Sequence, residues 1–144
     1  MTITILRTVK WLNQPANNEI VLDLVHTWIE LLANKHYQAA FELTGHDSYH
    51  SWTPDLIRKV IESYGLPDEN SLQKYEVTSV DEAQGGPKPR WEVEWFEQPG
   101  TDGRVGEVSA ELPLNGTWSD LTAIFEIYLR DDKYALVLND IHVL

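Results

Sequence analysis

Asp140 and His142 alternate in the closing run Asn139-Asp140-Ile141-His142-Val143-Leu144, so on a strand their side chains share one face. A carboxylate beside an imidazole orients the ring and raises its basicity, which is general acid/base chemistry. These are the candidate catalytic residues. The neighbours leave their side open: Ala135, Val137, Ile141 and Val143 face one way, Tyr134, Leu136 and Leu138 the other. If the first set is core, the pair lies outside, and an exposed or structural pair is the plainer reading.

His46 and His50 stand four apart in His46-Asp47-Ser48-Tyr49-His50, a spacing that on a helix would align two metal ligands. The segment falls between Gly45 and the Thr53 cap, in an expected loop, and no third ligand is identifiable. Surface histidines and no metal are the expectation. With no cysteine, disulfides, zinc–thiolate sites and a thiol nucleophile are excluded. No serine occupies a nucleophile elbow and no Gly-rich loop opens a helix, so no nucleotide cofactor is expected.

A third group could bind rather than react. Trp91 and Trp95 share a face of Arg90-Trp91-Glu92-Val93-Glu94-Trp95, and Trp28 belongs to the helix stripe that must cover that face. Together they enclose either solid core or an apolar site, with His26 and Tyr37 as candidate polar contacts. Core is the commoner use of such residues.

The elements that must position these groups follow from periodicity. Ile20, Leu24, Trp28 and Leu31, with Val21, Val25 and Leu32, predict a helix over 18–33, capped by Asn17 or Asn18. A second helix is expected from Lys35 to about Leu43, ended by Gly45. Thr53-Pro54-Asp55 opens a third, stopped at Gly65-Leu66-Pro67. The period then becomes two, with strands expected at about 74–82, 90–97, 104–112, 120–130 and 133–143. Turn chemistry separates them, most clearly Asn115-Gly116. The expectation is an α+β fold in one domain over 1–144: an arm (1–17), a helical layer (18–66) and one curved antiparallel sheet (74–144).

Charge is the strong deviation: 23 acids against 11 bases, a net charge of −12. Residues 1–74 hold nine acids and six bases, residues 75–144 fourteen and five. Alternation gathers much of the excess on one sheet face, at Glu92, Glu94, Glu107 and Glu111. Such a surface repels phosphate, so nucleic-acid binding is disfavoured. It either keeps the sheet soluble or faces a basic partner. No signal peptide and no run of ~20 apolar residues is apparent, so a cytoplasmic protein without a membrane partner is expected.

The order of elements, with Leu24-Val25-His26-Thr27-Trp28-Ile29-Glu30-Leu31-Leu32-Ala33-Asn34-Lys35-His36-Tyr37-Gln38-Ala39-Ala40-Phe41 ahead of a long meander, resembles the nuclear-transport-factor-2-like superfamily. The segment Leu112-Pro113-Leu114-Asn115-Gly116-Thr117-Trp118-Ser119-Asp120-Leu121-Thr122 and the ending 139–144 are similar to an uncharacterised bacterial branch of that group. The resemblance implies a conical, cystatin-like α+β fold, a pocket between helices and sheet, and a homodimer. Relatives bind, isomerise, dehydrate, transport or neutralise toxins, so the fold does not choose among functions.

Three readings follow. The first is a non-catalytic binding module for a small apolar ligand or a protein partner. The second is an acidic, immunity-type protein that neutralises a basic partner. The third, and least favoured, is a lyase or isomerase acting through a pocket acid/base.

Overall fold

Asn17 starts the first helix. Its backbone is extended (φ −143°, ψ 170°), and its Oδ1 accepts the Ile20 N–H at 2.9 Å, satisfying a first-turn donor that the helix leaves unpaired. The computed structural model of the protein describes residues 11–12, 17–64, 74–85, 89–131 and 133–143. In it helix α1 spans Asn18–Ala33 and buries Val21, Val25, Trp28, Ile29 and Leu32, the stripe that the sequence predicts.

Helix α2, Tyr37–Leu43, begins later than predicted, because Lys35 sits at φ 62° and cannot be helical. It ends at Leu43, as predicted. Thr44 is extended, and Gly45–His46 form a short strand, β1, that the sequence reading does not contain. Helix α3, Pro54–Glu62, has the expected start: Thr53 Oγ1 accepts the Leu56 N–H at 3.0 Å, Pro54 opens the first turn and Asp55 lies in it.

Four longer strands follow: β2 (Trp91–Trp95), β3 (Arg104–Leu114), β4 (Thr117–Arg130) and β5 (Lys133–Val143). They pair antiparallel in sequence order, and β1 joins the far side of β5 in parallel, giving the order β1-β5-β4-β3-β2. The fold is α+β as expected, but the sheet is mixed rather than antiparallel. The β3–β4 turn holds Asn115 at φ 50° and Gly116 at φ 82°, the paired left-handed residues of a type I′ hairpin.

The strand expected at 74–82 is a further correction. Val77 makes one isolated bridge to Leu114, and Val80–Glu82 close a 3-10 turn. That stretch is bonded to the hairpin instead: Asn115 N–H donates to the Glu76 carbonyl, Asn115 Oδ1 accepts from Glu76 N–H, and Thr78 Oγ1 accepts from Gly116 N–H, each at 2.9 Å. Most of the arm, the Gly65-Leu66-Pro67 stop, and residues 86–88 and 132 lie outside the described residues.

One side of the sheet meets the helices. Val108, Ala110, Leu112, Leu121, Ala123, Phe125, Ile127, Tyr134, Leu136, Leu138 and Ile141 pack with the buried helix residues in one cluster. The register explains why Ile141 belongs here. Phe125 pairs with Leu138 and Ile124 with Asp140, so Asn139 is an extra residue in β5. This bulge shifts the alternation by one: Tyr134, Leu136 and Leu138 stay together on the inner side, while the other apolar set inferred from the sequence is split, Ile141 parting from Ala135 and Val137. Ala135 and Val137 lie on the opposite side with Tyr128, against Trp11. Among the described residues no helix is long and apolar enough to cross a membrane.

Candidate functional site

The sheet face away from the helices carries the polar halves of the alternating strands. Three register-paired residues form a row across it: Glu94 on β2 opposes Glu107 on β3, which opposes Glu126 on β4. Like charges placed directly opposite one another destabilise a sheet. One cation relieves the row. Arg104 bonds Glu126, which is 8% exposed, and Tyr128 O–H donates to the same carboxylate at 3.3 Å. That pairing holds the Arg104 guanidinium pKa above its ordinary value. Glu94, Glu107 and the nearby Glu92 have no cationic partner among the described residues, and Glu92 and Glu94 are exposed.

Beside this row is a depression of about 40 Å³ lined by Arg90, Glu92, Ser109, Glu111 and Thr122. Glu111 anchors its rim, accepting the Arg90 N–H at 2.7 Å with Arg90 Nη2 at 3.5 Å. Thr122 points to this outer side, yet is only 1% exposed. Small-molecule sites are typically about 300–1,000 Å³, so this depression admits a side chain tip or a few waters rather than a ligand.

Asp140 and His142 lie on the same outer face, opposite Ile124 and Thr122. They are hydrogen-bonded, His142 Nδ1 to Asp140 Oδ2 at 2.5 Å, with side chains 40% and 30% exposed. The other carboxylate oxygen accepts the Ile141 N–H at 2.8 Å and stands 3.6 Å from His50 Nε2. Sequence reasoning could not bring His50 here, because the contact depends on where the loop after β1 meets the β5 bulge. Trp52 ties that loop down, donating Nε1–H to the Asn139 carbonyl at 3.2 Å. Among the described residues no group of three or more His, Asp and Glu is arranged to hold a metal ion.

His46 overturns its expected place in a surface loop. It is 7% exposed on β1, beside Val137 and Leu138, and stacks on Phe41 with ring centroids 3.9 Å apart. Burial lowers its pKa, opposed by a hydrogen bond to the Phe41 backbone, and Nε2 has no partner. The unfolded chain therefore takes up this proton more readily than the folded one. This contribution to stability is complete above roughly pH 6.5 and is lost as pH falls below it. Urea unfolding of wild type and His46→Phe at pH 7.5 and 5.0 checks this. The variant's stability relative to wild type is expected to rise at the lower pH; a constant difference would refute it.

The residues expected to line an apolar site are dispersed along the inner face. Trp28 is fully buried, edge-on to Phe125 at 5.0 Å. Trp91 is half-buried and donates Nε1–H to the Glu111 carbonyl at 2.9 Å; its ring lies 6.2 Å from that of His26. His26 is also 3.7 Å from Glu30, whose carboxylate accepts from Ser79 O–H and Val80 N–H. Trp95 is 38% exposed and donates to Asn18 Oδ1 at 2.5 Å. Tyr37 sits on α2, half-buried, where burial and then Glu76 push its hydroxyl pKa up. The geometry joins His26 to Trp91 and leaves Trp28 within the packed core. Compared with known proteins, the chain matches no family model, no curated protein and no solved structure.

Proposed function

We propose that this protein is a non-catalytic binding module that presents the acidic outer face of its sheet to a basic protein partner. The observation that carries the reading is the cross-strand row Glu94–Glu107–Glu126, in which three carboxylates meet one guanidinium. Directly opposed like charges destabilise the sheet, a penalty that a cationic partner would offset on binding. Unopposed, two such faces repel, which disfavours a homodimer built through this surface.

The reading keeps the conical arrangement of the nuclear-transport-factor-2-like superfamily as its structural frame, supported by helices that precede a meander and cover one sheet face. Of the two binding forms, a small apolar ligand draws on Trp28, Trp91 and Trp95, but Trp28 would have to leave a closed core. The lyase or isomerase alternative draws on the His142–Asp140 bond; the two residues lie on the open sheet surface and do not line the neighbouring depression.

Glu94→Gln/Glu107→Gln tests the proposal, with Asp81→Asn/Glu82→Gln at the exposed 3-10 turn as a control of equal net charge. The first variant is expected to unfold at higher urea and to bind a labelled decalysine peptide several-fold more weakly, with a shallower salt dependence. Equal binding by the two variants would sink the reading, since attraction would then follow net charge alone.

A further inference from the structure

The sheet ends on β2, and on that side nothing among the described residues pairs with it. Its ladder to β3 runs through alternate residues: the Arg90 carbonyl accepts from Glu111 N–H at 3.2 Å, and Phe96 N–H donates to the Val105 carbonyl at 2.9 Å. Antiparallel geometry then turns the backbone N–H and C=O groups of Trp91, Val93 and Trp95 outward, along the open edge. On the far side of the sheet, β1 covers β5 only through Gly45 and His46, and Leu12 bridges Tyr134.

Open edges invite pairing, and proteins commonly blunt them with lysine, proline or bulges. This one carries Glu92 and Glu94, both exposed, with Glu107 beside them. Such an edge discriminates by charge. A second copy pairing antiparallel about Val93 would set its Glu94 against Glu92, two carboxylates in direct opposition. A basic strand meets no such penalty. On the other side of the pleat it would find Val93 and the exposed rim of Trp95.

We infer that the β2 edge binds an extended segment of a basic protein by antiparallel strand addition, with Lys or Arg beside Glu92 and Glu94 and apolar residues opposite Trp91, Val93 and Trp95. This rests on the acidic-face reading above and adds the mode of recognition: main-chain bonds supply affinity and alternate side chains supply selectivity. The geometry makes one demand. Residues directly opposite in an antiparallel pair share a face, so the incoming apolar residues must be the ones whose backbone bonds Trp91, Val93 and Trp95.

The test uses the full chain and the capped peptide Lys-Val-Lys-Val-Lys-Val-Lys at low salt, with two isomers N-methylated at every valine or at the internal lysines. Valine N-methylation is expected to weaken binding more than tenfold, and lysine N-methylation less than threefold. The parent peptide should slow hydrogen exchange at the amides of Trp91, Val93 and Trp95. If both methylated peptides bind like the parent and those amides stay unprotected, strand addition is refuted while the acidic-face reading survives. If no peptide binds, both fall. If the free protein sediments as a dimer with the same amides already protected, the occupant is a second copy and the inference is overturned.

Discussion

Replacing Trp28 with alanine is expected to lower the unfolding free energy by about 3–5 kcal/mol, the largest single-residue effect foreseen for this protein. The indole is fully buried on α1 and meets Phe125 edge-on at 89° between the ring planes. Removing it deletes the aromatic contact and leaves a void that Val25, Ile29 and Leu32 on the same helix can only partly refill. Trp28→Phe should cost clearly less. Nε1 is buried without a partner, so the phenyl ring gives up volume but also removes a donor already desolvated at a loss. Urea unfolding of both variants checks this. A cost below about 1 kcal/mol for Trp28→Ala would mean that the indole borders a void, and the apolar-ligand form of the binding reading would gain.

Arg104→Ala is expected to cost about 1–3 kcal/mol, through the charge that it strands rather than the contact that it removes. Glu126 is buried on the outer face, bonded to Arg104, with Glu107 opposite it on β3. Without the guanidinium, a carboxylate shut from water faces another carboxylate. Arg104 itself is 39% exposed at its side chain, so solvent screening keeps the figure below that of a fully buried pair. Its stacking over Phe96, 5.2 Å from the ring centroid, adds a smaller packing loss. Adding Glu126→Gln to Arg104→Ala should restore most of the stability, because the stranded charge is then gone. A double-mutant cycle with no coupling between the two positions would refute this account.

The local chain was enough to place several elements, each for an identifiable reason. Asn17 and Thr53 mark helix starts because their short side chains reach back to a free N–H in the first turn. Asn115-Gly116 marks a hairpin because both residues tolerate positive φ at little cost. Trp91-Glu92-Val93-Glu94-Trp95 shows its wet face because a strand's side chains alternate, whatever covers them. The acidic excess on one face was legible for the same reason.

Tertiary structure decided what periodicity cannot carry. Two residues have no period, so β1 and the burial of His46 emerge only from pairing with β5. Glu94 and Glu107 were readable as outward-facing, but their alignment with Glu126 into one row is a matter of register between strands. The face of Asp140 and His142 turned on Asn139: a single unpaired residue reverses every side chain beyond it, and sets both on the outer face while Ile141 enters the core. Local sequence reports which residues share a side only as far as the next bulge. Which side faces the core, and what stands opposite, is decided by the pairing of segments distant in the chain.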